Sequence, residues 1–128
     1  MFNQNQLDEI DNVIQETLIS AGIDDVIFID MAGNTITKHD NGKSHLDVIA
    51  FAALAAGNFA AMDAMAKLIG ESEFSLLFHK GEKLSIHFSK VNEETLLITM
   101  FNKELSLGIV RLKVADTIES INAILTNG

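Results

Sequence analysis

Between Leu46 and Gly70 apolar residues recur at helical spacing on two sides of one segment. Val48, Phe51, Ala55, Phe59, Met62, Ala66 and Ile69 form a stripe that carries the large side chains. Almost opposite lie Leu46, Ala50, Ala53, Gly57, Ala60, Ala61 and Ala64, most of them small. Asp47 and Asn58 separate the stripes on one side, and Asp63 and Lys67 on the other. A surface helix ordinarily has one apolar stripe and a polar back. A single layer of protein can bury only one of these two faces. The bulky face suits an internal core, where large side chains gain most from burial. The small face then needs a second partner, and alanine and glycine let another backbone come close. Propensity alone also selects alanine in a helix. The two-sided pattern points instead to an interaction platform.

The remaining elements follow from the same periodicities. Residues 3–21 read as a first helix, with Leu7, Ile10, Ile14, Leu18 and Ala21 on one face and Gly22 as a left-handed cap. Val26–Ile29 is a continuous apolar run within Asp25–Asp30, which predicts a strand covered on both sides. Residues 31–34 form a turn around Gly33, and Thr35–His39 a short return strand. A polar loop over residues 38–43 leads to Ser44, the predicted N-cap of the long helix. Three strands follow, at Glu73–His79, Lys83–Lys90 and Thr95–Phe101. The middle one alternates Leu84, Ile86 and Phe88 with Ser85, His87 and Ser89. The turn at Lys80-Gly81-Glu82 leaves the hairpin register open. A three-residue loop puts Phe78 on the face of Phe88, and a two-residue loop puts it on the opposite face. A last helix spans about Leu107 to Leu125, with Leu107, Val110, Val114, Ile118, Ile121 and Leu125 on one face. The predicted class is therefore α+β in the order α-β-β-α-β-β-β-α. It is a five-stranded antiparallel sheet with the long central helix on one face and the terminal helices on the other. No linker or repeat divides the 128 residues, so residues 1–128 form one domain.

Composition narrows the function classes. The formal net charge is −9, with a single arginine, which disfavours nucleic acid and anionic membranes as partners and favours a basic protein surface. There is no cysteine, hence no disulfide and no thiolate metal site. The first ten residues hold neither a basic segment nor an apolar run, so a cytoplasmic location is expected. The longest unbroken apolar run, Val48 to Gly57, is short of the ~20 residues a membrane span requires.

Candidate chemistry is sparse. Phosphate-cradling, nucleophile-elbow and zinc-protease motifs are absent. Four histidines raise the question of a metal. His79 and His87 are either about four residues apart along the sheet or on opposite faces, and neither register lets them share an ion. His39 and His45 flank one loop, but two ligands do not make a zinc site. The carboxylate pairs Asp24-Asp25 and Glu93-Glu94 stand at turns or strand starts and read as solvated. Arg111 is the one residue able to act as an arginine donated to GTP hydrolysis; packing or ion pairing is its simpler role. No catalytic residue, cofactor or metal is therefore assigned.

Three local phrases carry a family resemblance. Gly22-Ile23, then Val26–Asp30 and Gly33, resemble the first hairpin of the roadblock/dynein light chain family. Residues 54–61, from Leu54 to Ala61 through Gly57 and Phe59, resemble its central helix. Residues 107–112, ending in Arg111-Leu112, resemble the entry to its last helix. The resemblance implies a profilin-like roadblock fold and a homodimer. In that dimer the edge strand Glu73–His79, here Phe74, Ser75, Leu76, Leu77 and Phe78, pairs with its twin, and the two long helices lie side by side. It implies a regulator or scaffold of a small Ras-like GTPase. Bacterial members of this kind activate a polarity GTPase in gliding motility, and their helix pair contacts the GTPase without supplying an arginine. The short chain is similar to the prokaryotic stand-alone form. The stripe that needs company is on the helix this family uses. The expected contact strip is Ala50, Ala53, Gly57, Ala60 and Ala64, with Asp47, Asn58, Asp63 and Lys67 at its margins. A small-molecule sensor and a purely structural adaptor are the competing functions.

Overall fold

The computed structural model describes residues 2–42, 44–72 and 77–127. Its elements are α1 (Gln4–Ile14), a π-helical turn (Gln15–Ile19), β1 (Asp25–Asp30), β2 (Thr35–Asp40) and α2 (Val48–Leu68). Then come β3 (Leu77–Lys80), β4 (Leu84–Asn92), β5 (Thr95–Asn102) and α3 (Leu107–Asn127). The strands form one antiparallel sheet in the order β2-β1-β5-β4-β3. This is the α+β layout the pattern predicts.

The apolar runs at the centre explain the layering. β1, β5 and β4 are the inner strands, and in the first two Val26, Ile27, Phe28, Ile29, Leu96, Leu97 and Ile98 are fully buried. Alternation along each strand sends side chains to opposite faces. Ile27, Ile29, Leu96 and Ile98 meet α2 through Ala52, Ala55 and Ala56. Val26, Phe28, Leu97 and Phe101 meet Ile10, Ile14 and Leu18 of the first helix and Val110, Val114 and Ile121 of α3. Each face therefore has its own apolar core, and α2 holds one of them alone.

Several local expectations are corrected. The first helix does not run unbroken to Ala21. After Ile14 the backbone widens into a π-turn, and Gly22 at φ +104° ends the segment. Helical spacing alone does not separate an α-turn from a π-turn. The N-cap of α2 is Asp47, whose carboxylate accepts from the Ala50 N–H at 3.2 Å. Ser44 instead accepts from the Leu46 N–H and donates to Asp25. β2 extends to Asp40, into the stretch read as loop. Gly81 N–H donates to the Leu84 carbonyl, which closes a two-residue turn and settles the hairpin register. Phe78 thus pairs across from His87, and His79 from Ile86. The predicted start of the third strand, residues 73–76, lies outside the described residues.

Candidate interaction surface

The inward side of α2 is the bulky stripe. Ala52, Ala55, Ala56 and Ala66 are buried, and half-buried Val48, Phe51, Phe59 and Met62 pack around them. Alanines at the closest approach let the helix settle near the sheet, and the large residues fill its flanks. Ile69 departs from the expectation: it follows the last helical turn and is 70% exposed. Leu46 departs the other way. It precedes the helix and packs on the α2-side core.

The outward side is the small-residue strip. Ala50, Ala53, Gly57, Ala60, Ala61 and Ala64 are all exposed. The strip also carries large apolar residues that grouping by size overlooks. Ile49, Leu54 and Leu68 are 84%, 74% and 86% exposed, and Met65 is exposed as well. On a helical projection these four lie within or beside the arc of the small residues, so the same 100° wheel locates them. Burying one large aliphatic side chain is worth about 1.5–3 kcal/mol. Four of them on one helix make a substantial apolar patch.

The margin residues are engaged within the chain. Asp47 caps the helix. Asn58 is half-buried, with its amide 3.1 Å from the His79 ring. Lys67 pairs with Asp63 at 3.0 Å. Over its whole length, rather than its longest unbroken run, α2 is long and apolar enough to cross a membrane. In this fold one side of it rests on the sheet.

Among the described residues β3 pairs only with β4, so its far edge presents unpaired backbone groups. Phe78 turns away from the α2 side and stacks on Phe101 at 6.1 Å between ring centres. Phe74, Ser75 and Leu76, expected at the dimer seam, lie outside the described residues, as does the side chain of Leu77.

The polar candidates are dispersed. His39 is held by Asp11 at 2.9 Å and Gln15 at 3.0 Å, which ties β2 to the first helix. His79 sits edge-on to Phe88 on the α2 side. His87 is on the other face, buried opposite Thr99. Burial pushes its pKa down to about 4, and the positive charge of Arg111 adds to the effect. His45 is exposed near Asp24 and Asp25. Among the described residues no three metal-capable side chains converge. Arg111 is exposed near the start of α3 and makes no ion pair among the described residues. Asp25 contradicts its reading as a solvated carboxylate: it is 6% exposed, and burial pushes its carboxyl pKa up. The signal for this is its place at the head of a strand whose next four residues are all apolar.

The chain has recognisable relatives. The profile of the Roadblock/LC7 domain matches residues 9–101. The solved structure of Myxococcus xanthus MglB is similar over 99% of this chain and 94% of its own, with 31% identity and a TM-score of 0.89. A gliding protein, mglB, from Thermus thermophilus is similar over 100% of this chain and 96% of its own, at 27% identity and a TM-score of 0.87. An MglB with a tetrameric arrangement also has 27% identity and a TM-score of 0.87, covering 97% of this chain and 92% of its own. Acanthamoeba castellanii profilin IA shares the fold at 15% identity, with a TM-score of 0.61. No curated protein sequence matches.

Proposed function

Because the chain belongs to the Roadblock/LC7 domain family, we propose that it is a homodimeric, cytoplasmic regulator of a small Ras-like GTPase. The observation that carries this reading is the outward face of α2. An apolar face this large on a helix that already fills its inward role is suited to a protein partner. The strip Ala50, Ala53, Gly57, Ala60 and Ala64 lets a partner backbone approach, with Asp47, Asn58, Asp63 and Lys67 framing it. Ile49, Leu54 and Leu68 supply the buried area, shared between the GTPase and the twin α2. In the dimer β3 of each subunit pairs with its twin and the two α2 helices lie side by side, so one continuous apolar surface meets the GTPase. The similarity to MglB supports the same reading.

The regulator donates no catalytic group. Its contact strip is built of alanine and glycine, which can only position. Arg111 is on α3, across the sheet from α2, and a GTPase seated on the strip is out of its reach. The partner's own residues then carry out hydrolysis, held in place by the docked surface. No cofactor or metal enters this mechanism.

The test is the double substitution Ala53→Arg with Gly57→Arg. Both positions are exposed, so the variant folds, and two guanidinium groups block close approach. GTPase binding and stimulated hydrolysis are expected to disappear together. A folded variant that binds its GTPase as tightly as the parent overturns the assignment. Retained binding by the parent with unchanged hydrolysis would identify a purely structural adaptor.

A further inference from the structure

The sheet face that carries α3 is not fully covered. One flank of α3 faces β4, where the Asn122 amide donates to the Val91 carbonyl at 2.9 Å. Beyond the start of that flank, beside the β3–β4 turn, lies a half-open cavity of about 590 Å³. Its apolar lining is Phe78, stacked on Phe101, together with Leu105 and Leu107. Phe101 is buried, while the other three are half-buried, so part of each is open to water.

The rim of this cavity is basic in an acidic chain. Lys80 and Lys103 line it, Lys83 is in the adjoining turn, and Arg111 stands one helical turn beyond Leu107. Arg111 is on the β4 side of α3, since its charge bears on His87, the cross-strand neighbour of Phe78. These four are nearly half of the 9 cations in the sequence. Of its 18 carboxylates only Glu82 and Glu104 adjoin them along the chain, and only Glu82 lines the cavity. All four cations are exposed, and none makes an ion pair among the described residues. Lys38, Lys67 and Lys90, elsewhere on the molecule, each have a carboxylate partner.

We propose that this cavity receives an acidic segment of another protein, anchored by one aromatic side chain. Its volume is that of a small-ligand pocket, enough for one large ring and its flanking backbone. The guest ring rests on the stacked Phe78 and Phe101, which favour a further aromatic over an aliphatic chain. Carboxylates on either side of that ring meet Lys80, Lys103 and Arg111. Each exposed ion pair adds little affinity, but several of one sign select the charge of the partner and speed its approach. A second copy of this chain is poorly suited. It has no tyrosine or tryptophan, and no phenylalanine among the described residues is exposed. An anionic membrane is disfavoured by the net charge of −9. The cavity is on the sheet face opposite α2, so the inference does not rest on the GTPase reading and leaves the α2 face free.

The experiment is an amide chemical-shift titration of the full chain with the acetylated peptide amide DEFED. The comparators are NQFQN, which lacks the charge, DEAED, which lacks the ring, and phosphatidylglycerol vesicles. The expected result is saturable shifts at Ser85, Asn102, Lys103 and Leu107 with DEFED, and none at Ile49 or Leu54 on α2. Both comparator peptides bind more weakly by about tenfold or more. Salt at about 1 M, where the Debye length is ~3 Å, weakens DEFED binding. Lys80→Glu with Lys103→Glu changes two exposed side chains, keeps the fold and weakens DEFED by roughly tenfold or more. Lys113→Glu, two residues on from Arg111 and so on the opposite side of α3, leaves DEFED binding unchanged. The proposal is overturned if DEFED does not move the cavity amides, if either comparator peptide moves them equally, or if the double variant binds like the parent. It is also overturned if vesicles move them and DEFED does not, which would make this a membrane face. Shifts on dilution of the chain alone, with no response to DEFED, would give the cavity to a second copy and overturn it as well.

Discussion

Gly33 in the β1–β2 turn lies against Ala53 of α2. A Cβ on the glycine would stand 3.0 Å from the alanine Cα and 3.4 Å from the Ala52 carbonyl oxygen. The backbone at Gly33 is also left-handed, with φ +92°. Two independent reasons therefore demand glycine: the conformation and the proximity of a helix backbone that cannot yield. The Asp30 carboxylate fixes the turn by accepting from the Ala32 and Asn34 N–H groups, at 3.0 and 2.9 Å. Gly33→Ala is expected to destabilise the fold by about 1–3 kcal/mol. Urea unfolding followed by circular dichroism measures it. The loss should exceed that of Gly42→Ala, where φ is also positive but a Cβ would meet nothing.

That contact is only half legible in the sequence. Gly33 signals a turn, and Ala53 signals a face, but nothing in the spacing joins them. Long-range contacts of this kind depend on how layers stack, whereas periodicity reports only which side of an element is apolar. The order of elements is legible because β1, β5 and the helices have strong runs. The β3–β4 register is not, because Lys80-Gly81-Glu82 suits two loop lengths and only the Gly81–Leu84 hydrogen bond chooses between them. The exposed strip of α2 is legible in its small members. Ile49, Leu54, Met65 and Leu68 escape a reading that turns every large apolar residue inward, and on a helix that serves two layers they need not turn inward.

Asp25 gives a pH signature of opposite sign to the common one. Its folded pKa is raised above the ordinary 3.8, mainly by burial. The unfolded chain releases that proton more readily. The carboxyl therefore lowers folding stability as pH climbs from 3.8 through the raised value, and the penalty persists above it. Asp25→Asn removes the ionisation. The variant is expected to be more stable than the parent at about pH 7 and equally stable below pH 3.8. Urea midpoints across that range test this. A variant less stable at neutral pH would mean that the charged form is satisfied in the isolated chain.

His87 works in the other direction. Its pKa is depressed from 6.5 to about 4, first by burial and then by the Arg111 charge. The unfolded state takes up a proton near 6.5 that the folded state refuses. Stability attributable to His87 is therefore full above 6.5 and lost as pH falls toward 4, by at most about 3 kcal/mol. His87→Leu is expected to flatten that slope. Arg111→Ala is expected to raise the His87 pKa without restoring it to 6.5, because burial is the larger cause. Histidine ring shifts in an NMR pH titration read both. Stimulated GTP hydrolysis is expected to be unchanged in Arg111→Ala.

The exposed large residues of α2 give the sharpest test of assembly. Leu54 and Leu68 are 74% and 86% exposed, so within one subunit they touch little. Truncating either to alanine in an isolated subunit would change stability by no more than about 0.5 kcal/mol. In a dimer whose α2 helices lie side by side, such a residue loses partner contacts and costs up to a few kcal/mol of subunit association. Sedimentation velocity at low micromolar concentration is expected to give a species of twice 14.0 kDa for the parent. Leu68→Glu, which places a charge on the apolar face, is expected to keep the circular dichroism spectrum. If that variant and the parent sediment alike as dimers, the seam lies along the β3 edge without help from α2. If the parent is a well-folded 14.0 kDa species throughout, the uncovered helix face does not drive self-association and the homodimer is wrong.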